Sequence, residues 1–252
     1  MPYLINQKLF FVHIPKTAGS SIERAFGVHP SCNKTTSNSS ASLRSGPSLV
    51  NDVLRKTINL GLSFFASSSK HKEKNNFLIG YDQPSLVLQH LTLSEMFWLG
   101  YLSQAELSKS TFFSVVRHPK DRIISAWRSH QRHVEFPDIN DFIESRLNSL
   151  SCTTHDERAH IRPMSHYLDI SNLPCPIRLH VLRLETIQTC WSSFGERVLR
   201  DPSINLRSWP SLPHYGSNRS HVSPVSNQSL TVKSADLIKR YYSCDYENFA
   251  YQ

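Results

Sequence analysis

Two short segments of this chain carry residue types whose spacing suits the handling of anions. The first is His13-Ile14-Pro15-Lys16-Thr17-Ala18-Gly19-Ser20-Ser21. It closes an apolar, β-forming run from Lys8 to Ile14 and leads into Ile22, Ala25 and Phe26 at helical spacing. Glu23 is expected in the first helical turn, where a negative charge suits the helix dipole. A strand, a small-residue loop holding Lys16, and a helix start together make a cradle for phosphate or sulfate, because the first amides of a helix have no internal partner. The loop is not a GxxxxGK[ST] loop, since Lys16 precedes Gly19. The competing reading is an ordinary strand-turn-helix with a solvated lysine.

The second segment begins with Thr111 to Val116, again apolar and β-rich, and ends in Arg117-His118-Pro119. A helix follows, with Ile123, Ile124, Ala126 and Trp127 on or near one face. Arg117 thus stands at the C-terminal end of a strand, where open α/β sheets bind their ligands. Ser125 comes eight positions later, about two helical turns on. Arginine offers a planar fork and serine a hydroxyl, so the pair suits one terminal phosphate.

These residues carry a resemblance. The stretch His13–Ser21 resembles the 5′-phosphosulfate loop of sulfotransferases that use 3′-phosphoadenosine 5′-phosphosulfate (PAPS), and Val115–Trp127 resembles their 3′-phosphate motif. The relatives it points to are carbohydrate sulfotransferases (sulfotransferase family 2), including the heparan sulfate 2-O-sulfotransferase type and its bacterial counterparts. The stretch from His160 to Leu168 resembles a histidine-proline segment of the family, with Met164 where glutamine is usual, and Leu237–Tyr251 resembles the closing helix with its Tyr242 and Asp245.

The resemblance implies an α/β, P-loop-NTPase-like sulfotransferase fold, with a mainly parallel central sheet flanked by helices. It implies PAPS as donor, no metal, and in-line transfer to the hydroxyl of a glycan or glycolipid, acidic ones included. The donor would be held by Lys16, Thr17, Ala18, Gly19, Ser20, Ser21, Arg117 and Ser125, with Lys16 also meeting the charge on the leaving phosphate. The base must be a histidine or carboxylate near the transferring group. Among 13 histidines, His90 ends the run Leu86-Val87-Leu88-Gln89, 27 residues before Arg117, as the family's base histidine does. Its alternative is a satisfied core histidine. His13 is expected to pack in the strand or touch the donor, His118 to shape the turn before Pro119, and His160 and Arg162 to contact the acceptor or orient the site.

Three rival functions remain at this stage. A P-loop-type kinase should show a nucleotide-loop lysine and a magnesium carboxylate, and neither is found. A non-catalytic PAPS binder would keep the binding motifs and lack the base. A basic nucleic-acid binder would explain the net charge of +8 and pI of about 9.3. The chain has no zinc-finger spacing, no basic helix with heptads and no aromatic RNA-binding signature, so no specific nucleic acid is expected.

The elements that must position these residues alternate between strands and helices, which predicts a parallel sheet covered on both faces. Besides the two motif strands, Phe77–Gly80, Leu86–Gln89 and Leu179–Leu182 read as strands. Ser94–Leu107, Lys120–Val134, Ile139–Leu150, Ile187–Leu199 and Val232–Tyr242 read as helices, and Asp201–Asn227 as a long loop. The 252 residues fit one domain spanning 1–252, with a Ser-, Asn- and Lys-rich insertion at about 31–76. Five scattered cysteines suggest free thiols and a reducing compartment, with no zinc spacing. With no signal peptide and no apolar run of about 18 residues, the expectation is a soluble cytoplasmic protein of bacterial type. The sequons at Asn33, Asn38, Asn218 and Asn227 would then carry no glycan.

Overall fold

Leu9, Phe10, Phe11 and Val12 are all buried, and so are the six residues from Thr111 to Val116. Successive side chains on a strand point to opposite faces, so such runs belong inside a sheet covered on both sides. The computed structural model describes residues 3–4, 8–27, 81–83, 86–87, 90–129, 132–148, 155–212 and 229–252. The expected insertion at 31–76, the expected strand Phe77–Gly80, the sequons, Cys32, Cys152 and the second half of the 201–227 loop lie outside these residues.

Chain order runs β1 (Tyr3–Leu4), β2 (Leu9–Val12), α1 (Gly19–Ala25), β3 (Tyr81–Gln83), β4 (Leu86–Val87), α2 (Leu93–Trp98), α3 (Gln104–Lys109) and β5 (Thr111–Val116). It continues with α4 (Pro119–Trp127), α5 (Arg132–Glu135), α6 (Ile139–Asn148), α7 (His155–Ile161), α8 (Met164–Tyr167) and β6 (Arg178–Arg183). A single 3₁₀ turn at Leu184–Thr186 then leads into α9 (Ile187–Leu199), α10 (Val232–Tyr241) and α11 (Ser243–Asn248).

The main sheet has the order β1-β2-β5-β6. Strands β2, β5 and β6 are parallel, and β1 pairs antiparallel with β2. Val12 lies opposite Ser114, whose hydroxyl donates to the Val12 carbonyl at 2.8 Å. Phe10, Val12, Phe112 and Val116 face one core with Leu93, Met96, Leu107, Met164 and Tyr167. Leu9, Phe11, Phe113 and Val115 face the other with Ile22, Ile187, Trp191 and Phe194. A third cluster joins α4, α6 and α10 through Ile123, Trp127, Phe142, Ile143 and Ile238. This is the expected parallel sheet with helical flanks.

Several boundaries differ from the sequence reading. The helix expected over Ser94–Leu107 is two helices, broken at Gly100, whose φ of 78° is open to glycine without a Cβ clash. Each half has its own capping box, Thr92 with Glu95 and Ser103 with Glu106. The helix expected over Lys120–Val134 stops at Trp127, whose indole N–H is held by the Phe136 carbonyl at 2.8 Å. The helix expected over Val232–Tyr242 is found as α10, Val232–Tyr241, and α11 follows it. Of the strand expected before His90, the described part is Leu86–Val87, which pairs antiparallel with β3 in a two-stranded sheet; Leu88 and Gln89 lie outside the described residues.

Candidate active site

Because β2 and β5 are parallel neighbours, the chain leaves both at the same end of the sheet. The Lys16 loop and Arg117 therefore meet. Arg117 Nη1 donates to the Lys16 carbonyl at 3.4 Å, and the Arg117 amide points at the Met164 sulfur, also at 3.4 Å. Burial lowers the affinity of this guanidinium for its proton, while Asp121 and Glu185 act the other way.

The loop itself has a left-handed backbone at two positions. Lys16 and Ala18 both have positive φ, 70° and 69°. A left-handed Ala18 followed by helical Gly19 turns consecutive amides toward one side, a geometry that suits phosphate or sulfate oxygens. Thr17 is buried and spends its hydroxyl on the Ile14 carbonyl at 2.8 Å, which holds the turn. Ser20 is exposed, while Lys16, Ala18 and Ser21 are half-buried. Ser125 is half-buried on α4.

Helix α1 begins at Gly19, earlier than the sequence reading placed it, and this changes the meaning of Glu23. Glu23 is not a first-turn residue facing the dipole. It is fully buried, and its Oε1 lies 2.5 Å from His13 Nδ1.

Three histidines from distant segments meet beside this pair. His13 follows β2, His90 precedes α2, and His160 sits near the end of α7. Their exposures are 4, 8 and 4 %. The His13 and His90 ring centroids are 5.6 Å apart, and those of His90 and His160 are 5.1 Å apart, both edge-to-face.

Arg162 is turned elsewhere. It pairs with Glu95 at 2.9 and 3.1 Å and lies over the Tyr167 ring. Glu95 also closes the capping box of α2, so Arg162 ties α2 to the segment after α7. Among the described residues, no group of three or more His, Cys, Asp or Glu is arranged to hold a metal ion.

The profile of the sulfotransferase family matches residues 5–252. The chain belongs to the sulfotransferase family. Comparisons with curated proteins and with solved structures gave no match. Membership implies a sulfate donor, a hydroxyl acceptor and transfer of a sulfuryl group between them. No described helix of this sulfotransferase is long and apolar enough to cross a membrane.

Further buried and hydrogen-bonded residues complete the setting. Arg122, 1 % exposed, donates to the carbonyls of Pro15, Arg162 and Ala159 at 3.0, 2.8 and 3.3 Å. Buried Asp245 accepts from the amides of Met164 and Ser165, each at 2.8 Å, and Tyr242 donates to the Ile161 carbonyl at 2.7 Å. Glu185 accepts from the His118 amide at 2.7 Å and from the Tyr251 hydroxyl at 3.1 Å, while His118 Nε2 contacts the Gln252 carbonyl. The closing segment of the sulfotransferase is thereby fastened beside Arg117. Glu23 and Arg122 carried a signal that the sequence reading did not use. Each is a charged residue next to an apolar one on the inner face of its helix, Ile22 and Ile123 respectively.

Proposed function

We propose that this sulfotransferase takes its sulfuryl group from PAPS and delivers it to a hydroxyl on a carbohydrate, a glycan or glycolipid. The observation that carries the reading is the contact of Arg117 with the backbone of Lys16, which brings together two motifs 101 residues apart and supports their acting on one donor. PAPS supplies an activated sulfuryl group, whose S–O bond to phosphate breaks as a bond to the acceptor oxygen forms. Lys16 and the amides of Thr17 to Ser20 suit the 5′ phosphosulfate, the Ser21 amide being taken by the Ala18 carbonyl, and Arg117 with Ser125 suits the 3′ phosphate. Lys16 neutralises the charge that grows on the departing phosphate oxygen. His90 accepts the acceptor's proton, and His160 orients the acceptor. The pair of Arg162 with Glu95 supports a role for Arg162 in orienting the site. Cys175, Cys190 and Cys244 are free thiols, which supports a cytoplasmic location.

Thermal unfolding with adenosine 3′,5′-bisphosphate, ATP and an oligonucleotide tests the donor assignment, since a ligand stabilises the state that binds it. Selective stabilisation by the bisphosphate supports PAPS, and equal stabilisation by ATP sinks it. Turnover of labelled donor across glycans, glycolipids and small phenols tests the acceptor class. Binding without turnover on any acceptor would mark a non-catalytic donor binder.

A further inference from the structure

The pair formed by His13 and Glu23 touches two separate parts of the proposed site. At one ring nitrogen, Nδ1, the imidazole meets the fully buried Glu23 carboxylate at 2.5 Å. At the other, it fills the place of a missing side chain. A Cβ on Gly19 would stand 2.3 Å from His13 Nε2 and 2.5 Å from both Cδ2 and Cε1. Gly19 is the first residue of α1 and part of the anion loop, so the loop rests on the edge of this ring. His90 then packs against the same imidazole at 5.6 Å, with the ring planes at 73°.

A carboxylate facing Nδ1 fixes an imidazole in two ways. It accepts the Nδ1 proton, which sets the tautomer, and it stops the ring from turning about its own axis. Both matter here, because rotation of His13 would disturb Gly19 on one side and His90 on the other.

We infer that Glu23 and His13 form a positioning dyad that sets the height of the Lys16–Ser21 loop relative to His90, with Glu23 acting through His13. The inference rests on the reading of His90 as the base. Neither residue is a catalytic group in this scheme; the dyad aligns the donor loop with the group that receives the proton.

The first test needs only the unaltered protein with ¹⁵N-labelled histidine. His13 should show a proton-bearing Nδ1 near neutral pH, and a bare Nδ1 overturns the dyad. The second is a double-mutant cycle of Glu23→Gln and His13→Gln, read as kcat and as affinity for adenosine 3′,5′-bisphosphate. Misalignment of about 1 Å at a reacting centre costs about 10²-fold, so Glu23→Gln should lower kcat by up to that factor. Bisphosphate affinity should fall much less. If Glu23 works through His13, adding Glu23→Gln to His13→Gln should cost little more. Additive losses, or a loss confined to nucleotide affinity, overturn the inference. Glu23→Asp, which keeps the acceptor but draws it back by one methylene, should fall between wild type and Glu23→Gln. Should His90→Ala keep full turnover, the base assignment fails, while the dyad is still judged by the Nδ1 signal and the cycle.

Discussion

The Nε of buried Arg122 donates to the carbonyl of Pro15 at 3.0 Å, across 107 residues of sequence. The same guanidinium holds the carbonyls of Ala159 and Arg162, so the residue before Lys16 is tied to the helix that carries His160. The Lys16 loop and the histidine cluster are thus held in one frame by a single side chain. Arg122→Met should leave three carbonyls without this donor, at a cost of about 2–4 kcal/mol after relaxation. Calorimetry should show Tm lowered by several degrees. Arg122→Lys should recover little, because one ammonium cannot span three carbonyls set by a planar fork. An unchanged Tm in the methionine variant would remove Arg122 from this role.

Arg117→Ala should weaken adenosine 3′,5′-bisphosphate by about 1.5–3 kcal/mol, the range for hydrogen bonds to a charged group. Affinity for adenosine 5′-phosphosulfate, which lacks the 3′ phosphate, should hardly change. Titration calorimetry with both ligands separates the cases, and equal weakening of the two would mean that Arg117 does not read the 3′ phosphate.

Lys16 has a φ of 70°, so alanine there adds backbone strain to the loss of charge. Lys16→Gly is the cleaner variant. Its turnover should fall by orders of magnitude with a smaller loss of donor affinity, as expected for a group that acts mainly on developing charge. Lys16→Arg should also be poor, since a broad fork cannot replace a compact ammonium at one oxygen. Full activity in the glycine variant would take the loop out of the mechanism.

His90→Ala should lose about 10²–10⁴-fold in turnover, the usual worth of general-base help. It should still bind the bisphosphate, because Lys16 and Arg117 belong to other segments. The acid limb of the rate profile, set by an imidazole that must be neutral to accept a proton, should vanish with it. If rate and limb both persist, His160 is next to test. The carboxylate of Glu185 is a poorer choice, because its two oxygens already accept from the His118 amide and the Tyr251 hydroxyl.

Much of the frame was legible before any coordinates. The strands at Leu9–Val12 and Thr111–Val116 announce themselves as apolar β-rich runs, and α9 falls on its expected residues, Ile187–Leu199. These are local properties, because side-chain periodicity and β-branching act over a few neighbouring residues. The anion loop and the arginine after a strand were equally local, as was their order. Helix ends were less visible, since Gly100 and Trp127 stop helices through backbone freedom and a distant hydrogen bond.

The chain by itself determined that a parallel sheet would form and that the Lys16 loop and Arg117 would each follow one of its strands, because motif spacing and hydrophobic pattern are written within short segments. Only the tertiary structure decided their relations. The parallel register of β2 with β5 brings Arg117 to Lys16, and packing gathers His13, His90 and His160. It also turns Glu23 inward onto His13 and Arg162 away onto Glu95. A buried charge must find its partner wherever the fold places one, and that partner can lie ten residues away or more than a hundred.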